Sequence, residues 1–292
     1  MKEVDVYQIG ETRATRPEAI VEAAARRDRS ANVTTDGRWM LIAADHAARG
    51  ALGVRDSPYA MSNRRELLRR LSEALSRPGV DGVLGSADIL EDLLLLGALE
   101  GKKVFASMNR GGLLGSSFEL DDRFTAYDAE KILGMNFDGG KMLTRIDYQD
   151  CGTVATLEAC GRHISALADR GLIAMVEPFI SERVGGKVKN DLRTEAVMLS
   201  IAIASGLGNT SAYTWLKLPV VEEMERVMSA TTLPTLLLGG DPTSAPEETY
   251  AKWSNALTQP GVRGLVVGRA LLYPPDDDVA GAVDTAVRLV HG

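Results

Sequence analysis

Eight short apolar runs recur along the chain, separated by amphipathic segments, and this alternation restricts the fold more than any other feature. The runs are Trp39–His46 (WMLIAADH), Asp81–Ser86 (DGVLGS), Lys102–Met108 (KKVFASM) and Gly139–Ile146 (GGKMLTRI). Leu172–Phe179 (LIAMVEPF), Ala212–Pro219 (AYTWLKLP), Leu233–Gly240 (LPTLLLGG) and Val262–Arg269 (VRGLVVGR) follow. They read as strands apolar on both faces, as strands are when helices cover both sides of a sheet. The intervening segments carry helical periodicity, as in Ser62–Ser76, Ala155–Arg170, Leu192–Gly206 and Val279–Val290. A strand–helix unit repeated eight times, with no GxGxxG after the first strand, favours closure into an α/β TIM (β/α)8 barrel over a doubly wound sheet.

No linker or low-complexity stretch divides the 292 residues, so residues 1–292 are expected to form one barrel domain. Residues 1–37 precede the first strand as an N-terminal extension. Its segment Pro17–Asp28 is expected to be a helix that plugs or flanks the barrel bottom. Hydrophobic residues make up 45% and charged residues 25%, enough apolar material for a large core. The formal net charge of -7 and a pI near 5.2 argue against a nucleic-acid partner. No run approaches the roughly 18 apolar residues of a membrane span, and the N-terminus lacks a signal-peptide core, so a cytoplasmic protein without a membrane partner is expected. Cys151 and Cys160 lie about 13 Å apart on one expected helix, too far for a disulfide. Only three histidines occur, His46, His163 and His291, without metal-ligand spacing, so neither a metal nor a cofactor is expected. A homo-oligomer stays open.

In such a barrel the functional groups project from the C-terminal strand ends. There the first strand carries Asp45 and His46, the fourth Lys141 and Arg145, and the fifth Glu177. The sixth carries Lys217, the seventh ends Gly239-Gly240-Asp241, and the eighth Gly268-Arg269. Alternate side chains share a strand face. That parity groups Leu41, Ala43 and Asp45; Lys141, Leu143 and Arg145; and Tyr213, Trp215 and Lys217. If those faces point inward, two lysines and two carboxylates meet at the barrel mouth. A buried lysine loses its proton readily, and an uncharged amine attacks carbonyl carbon to form a Schiff base. Lys217 at a strand end has a plainer reading too, as an ammonium that reaches out to water. Lys141 and Glu177 have one as a structural ion pair.

With these residues in view, the chain resembles the class I aldolases of the deoxyribose-phosphate, tagatose-bisphosphate and archaeal-type fructose-bisphosphate aldolase superfamily. The resemblance runs from Asp45-His46 to Gly268-Arg269, and WLKLPVV is its most specific piece. It implies that Lys217 forms the imine, that Lys141, Glu177 and Asp45 complete the catalytic set, and that no cofactor is needed. It also implies that Gly239, Gly240, Gly268 and Arg269, with Arg145, hold a phosphate. The glycines have a plainer reading as tight strand-to-helix turns. A KTSTG-like sixth strand is absent, which turns the reading away from deoxyribose phosphate. Asp241, in GGDP, would repel a phosphate. The loops Asn109–Ser117 and Ser181–Asn190 are expected to close over a sugar, with Arg110 and Lys187 as minor candidates.

The implied activity is metal-independent cleavage of a phosphorylated ketose, giving dihydroxyacetone phosphate and an aldehyde. A 2-deoxy-5-keto-gluconate phosphate, as in inositol breakdown, and deoxyribose phosphate are the alternative substrates. A barrel that binds a sugar phosphate without turnover is the alternative outside catalysis.

Overall fold

A computed structural model describes residues 5–29, 36–240 and 245–292; Asp241 lies outside the described residues. The strands are β1 (Trp39–Ala44), β2 (Gly82–Gly85), β3 (Lys103–Ser107), β4 (Gly139–Ile146) and β5 (Ile173–Val184). They continue with β6 (Lys187–Asn190), β7 (Thr214–Pro219), β8 (Thr235–Leu238) and β9 (Val262–Val267). β1 to β5 and β7 to β9 pair in parallel with their neighbours, and β9 returns to β1, so the sheet is a closed eight-stranded barrel. Helices including Arg64–Ser76, Gly152–Ala168, Thr194–Ser205 and Val279–His291 surround it. All eight expected runs are barrel strands; β4 keeps its expected limits, while β1 stops before Asp45 and His46.

Side chains of alternating parity fill the barrel. Trp39, Leu41, Ala43, Leu84, Phe105, Met175, Leu236 and Val266 form the inner cluster, separate from the larger layer between strands and helices. Its floor is a stack of Trp39 on Trp215, ring centroids 4.2 Å apart, with the Lys103 ammonium nitrogen 5.0 Å from the centre of the Trp39 ring. Such contacts combine apolar area with a quadrupole that attracts the cation.

The N-terminal extension flanks the barrel. The expected helix occupies Ala19–Arg26, and a second helix that the sequence did not announce, Val6–Thr15, precedes it. Arg13 binds Glu91 and Asp92 on the helix Ala87–Leu95 at 3.0 and 2.9 Å.

One expected loop is ordered structure. Ser181–Asn190 is an antiparallel hairpin of the end of β5 with β6, with Ser181 opposite Asn190. Its turn residues Gly185 and Gly186 have φ of 59° and 80°, the pair of positive values a two-residue type I′ turn requires. Lys187 sits exposed on this hairpin and takes no part in the cluster described below. Cys151 and Cys160, at the start of and within the helix Gly152–Ala168, are both free thiols. Among the described residues no helix is long and apolar enough to cross a membrane.

Candidate active site

The parity that fills the barrel continues to its mouth. Leu41 and Ala43 lead to Asp45, Phe105 to Ser107, Met175 to Glu177, and Trp215 to Lys217. All four polar residues are buried there, together with Lys141 from β4. Lys217 is 3% exposed and Lys141 1%, so neither ammonium reaches bulk water.

Glu177 bridges the lysines. Its Oε1 lies 2.9 Å from Lys217 Nζ, and its Oε2 is paired with Lys141 Nζ. Lys141 Nζ also lies 3.3 Å from Asp45 Oδ2, and Ser107 Oγ donates to that oxygen at 3.3 Å. The same oxygen is ion-paired with Arg110, whose Nε donates to Ser107 Oγ at 2.6 Å. The plainer reading of Lys217 as a side chain reaching into solvent is therefore excluded. Ser107 was not among the expected residues, although its parity with Phe105 marks it in the sequence. Arg110, expected only as a minor loop residue, is central.

Burial governs the electrostatics here. It lowers the pKa of Lys141 far below the ordinary lysine range, assisted by the Arg110 charge and opposed by Glu177. It lowers Lys217 as well, against the pull of Glu177. Burial pushes Glu177 upward, but Lys141 and Lys217 outweigh it and hold the carboxylate below its usual range. His46 follows Asp45, and burial with the charges of Arg269, Lys217 and Lys141 keeps it neutral. A buried lysine whose pKa is lowered, next to a carboxylate held ionised, is an arrangement suited to covalent carbonyl chemistry.

The expected phosphate groups divide. Arg145 faces the β3 loop: its Nε and Nη2 meet the two carboxylate oxygens of Asp122 at 2.9 and 2.7 Å, and Nη2 also donates to the Glu119 carbonyl. Its part is to fix the loop, because both edges of its planar guanidinium are taken. Gly239 and Gly268 have steric reasons for being glycine. A Cβ at Gly239 would stand 2.6 Å from Val267 Cγ1, and one at Gly268 would stand 2.3 Å from the Ala43 carbonyl oxygen. Gly240 takes φ +67° at the end of β8. Arg269 opens the short helix Arg269–Leu272 beside His46, and its Nη1 donates to the Gly53 carbonyl at 3.4 Å.

A cavity of ≈ 1000 Å³ opens elsewhere, between the N-terminus of the helix Thr194–Ser205 and the helix Pro246–Leu257. Its lining, which includes Arg193, Glu195, Glu222, Glu223 and Lys252, shares no residue with the lysine cluster. Burial, ion pairing and shifted pKa values coincide in the lysine cluster and not in this cavity. Among the described residues no group of three or more His, Cys, Asp or Glu side chains is placed to hold a metal ion.

A family model described as Cgl0159-like matches residues 37–287. The crystal structure of Cgl0159 from Corynebacterium glutamicum is 55% identical, covers 98% of this chain and 96% of its own, and superposes with a TM-score of 0.95. A structure reported as a Schiff-base-forming fructose-1,6-bisphosphate aldolase is 19% identical, covering 93% of this chain and 100% of its own at a TM-score of 0.68. An archaeal fructose-1,6-bisphosphate aldolase with its catalytic lysine bound to a carbinolamine intermediate is also 19% identical, covering 94% and 100% at a TM-score of 0.68. At that identity the likeness to the two aldolases is one of fold. No curated protein matches.

Proposed function

This chain belongs to the Cgl0159-like family, and from its site we propose that it is a class I aldolase cleaving a phosphorylated ketose through an imine on Lys217. One observation carries the reading: two buried lysines from β4 and β7 share the single carboxylate of Glu177. A site that only binds sugar phosphate has no use for a depressed lysine pKa, and a structural ion pair needs one cation. The fold neighbours are aldolases, one of them with its catalytic lysine caught as a carbinolamine, which agrees with this chemistry.

In the proposed reaction Lys217 Nζ attacks the ketose carbonyl carbon. The carbinolamine loses water and becomes an iminium. The hydroxyl on the β carbon gives up its proton, the bond between the α and β carbons breaks, and its electron pair forms an enamine with the iminium carbon while the aldehyde leaves. Protonation of the enamine carbon and hydrolysis then free dihydroxyacetone phosphate and restore the amine. Glu177, in contact with Lys217, carries protons between substrate and lysines, and Lys141 orients it through its other oxygen. Asp45 holds Lys141 from the other side. Arg269 and the chain ends at Gly239, Gly240 and Gly268 are assigned to the phosphate, which removes Arg145 from that set.

Borohydride tests the reading directly. Incubation with dihydroxyacetone phosphate and borohydride should add the reduced three-carbon adduct to the peptide containing Lys217, and Lys217→Ala should add nothing. An unlabelled wild-type protein, or label on another lysine, would refute the proposal. A panel of ketose phosphates, a 2-deoxy-5-keto-gluconate phosphate and deoxyribose phosphate then ranks substrates.

A further inference from the structure

The cluster holds one more cation than the imine chemistry requires. Arg110 is buried three residues beyond β3 and is fixed from several sides. Its backbone N–H donates to Thr125 Oγ1 at 3.1 Å, its Nε to Ser107 Oγ at 2.6 Å, and its Nη2 pairs with Asp45. The preceding Asn109 is bound into β4: its Nδ2 donates to the Leu143 carbonyl at 2.6 Å, and its Oδ1 accepts the Leu143 N–H at 2.8 Å. The guanidinium is thus built into the centre by its own loop.

Among the described residues, Arg110, Lys141 and Lys217 form ion pairs with two carboxylates, Asp45 and Glu177. The other described charges nearby do not correct this imbalance. His46 is kept neutral beside Arg269, and Arg49 and Arg145 answer Glu119 and Asp122, two charges of each sign. A net charge in a buried site is costly, and a lysine sheds a proton far more readily than a guanidinium.

We propose that Arg110 is a positioning residue that shares Asp45 with Lys141, so that three cations meet two carboxylates and the lysine pair must release a proton. This rests on the aldolase reading: the released proton is what makes Lys217 a nucleophile. Without Arg110, two lysines would meet two carboxylates and both would stay charged. Burial lowers Arg110 itself to about 10, so it remains a cation across the neutral range in which the amine must be free.

The test is the pH profile of the borohydride-trapped dihydroxyacetone phosphate adduct, by intact mass, in wild type, Arg110→Gln, Arg110→Met and Arg110→Lys. The wild-type acid limb should lie well below the ordinary lysine range. It should move up by about one pH unit or more in Arg110→Gln, roughly a tenfold loss of trapping at a fixed pH on the limb. Arg110→Met, which keeps volume without charge, should repeat the shift and serves alone if Arg110→Gln does not fold. Arg110→Lys, whose ammonium can itself give up the excess proton, should also move the limb upward, by less than the neutral variants do. A merely structural arginine would lower thermal stability in both neutral variants and leave the limb in place, which overturns the inference while the aldolase reading stands. No wild-type adduct at any pH sinks the aldolase reading and this inference with it.

Discussion

Lys217 and Lys141 meet on opposite oxygens of Glu177, and each would shed its proton more readily without that carboxylate. A group held this way is a cost to the fold. Lys217→Met keeps the volume, removes one buried cation and leaves Arg110 and Lys141 opposite Asp45 and Glu177. We expect it to abolish the adduct and to stabilise the protein by about 1–2 kcal/mol in urea unfolding, since an apolar replacement of a buried ion is often stabilising. The sign of the pH dependence follows. A lysine whose folded pKa lies below its unfolded value binds fewer protons when folded, so stability should rise with pH across the window between the two. Lys217→Met should flatten that rise; an unchanged slope would mean that the buried amine is not what titrates. At this scale strand parity made the centre legible: Asp45, Lys141, Glu177 and Lys217 were all readable because a strand alternates its faces. The loop partners of Arg145 were not legible, because parity gives direction but not partners, and Asp122 and Glu119 stand in a loop without period.

The β3 loop is the element that assembles the site. Arg145 on β4 holds Asp122 and Glu119, and Arg49 after β1 donates from Nε to the Gly112 carbonyl at 3.1 Å. Arg145→Gln should therefore loosen the loop that carries Arg110. Its expected effect is a fall in kcat of about tenfold or more, the usual scale when a group that orients the reacting centre is displaced. The KM ratio between phosphorylated and unphosphorylated ketose should stay constant. A selective rise in KM for the phosphorylated substrate would return Arg145 to the phosphate. Asn109→Ala should cost about 2–4 kcal/mol in urea unfolding, because it strips partners from a buried N–H and a buried carbonyl of Leu143. Elements were legible where burial on both faces leaves an apolar run, hence the eight barrel strands. The hairpin of β5 with β6 was not, since nearly every residue from Glu182 to Asn190 faces solvent and only the Gly185-Gly186 pair marks a turn.

Across the molecule, the lysine cluster sits at one end of the barrel and the tie to the N-terminal extension at the other. Arg27 caps the extension's helix Ala19–Arg26 and is buried. It donates to the carbonyls of Leu99 and Lys102 at 3.3 and 2.6 Å and to that of Asn136, and it faces Asp138 at 3.7 Å. Leu99, Lys102 and Asn136 precede β3 and β4, so one guanidinium joins the entry turns of two adjacent strands. Asp138 meanwhile accepts the Val104 N–H at 2.8 Å and so ties the same two strands. Arg27→Ala would leave three carbonyls short of a donor and Asp138 with less counter-charge. Each loss is of the kind that costs about 1–3 kcal/mol when buried, reduced where water enters the gap, so a total of about 2–4 kcal/mol is expected in urea unfolding. The adduct at Lys217 should survive with its pH profile unmoved, because the Trp39–Trp215 stack and the inner side chains separate this floor from the mouth. Arg27→Lys should recover little stability, since one ammonium cannot reach carbonyls that a planar fork spans. If Arg27→Ala instead shifts the acid limb of trapping while leaving the urea midpoint unchanged, the two ends are coupled through the barrel wall and the separation argued here is wrong.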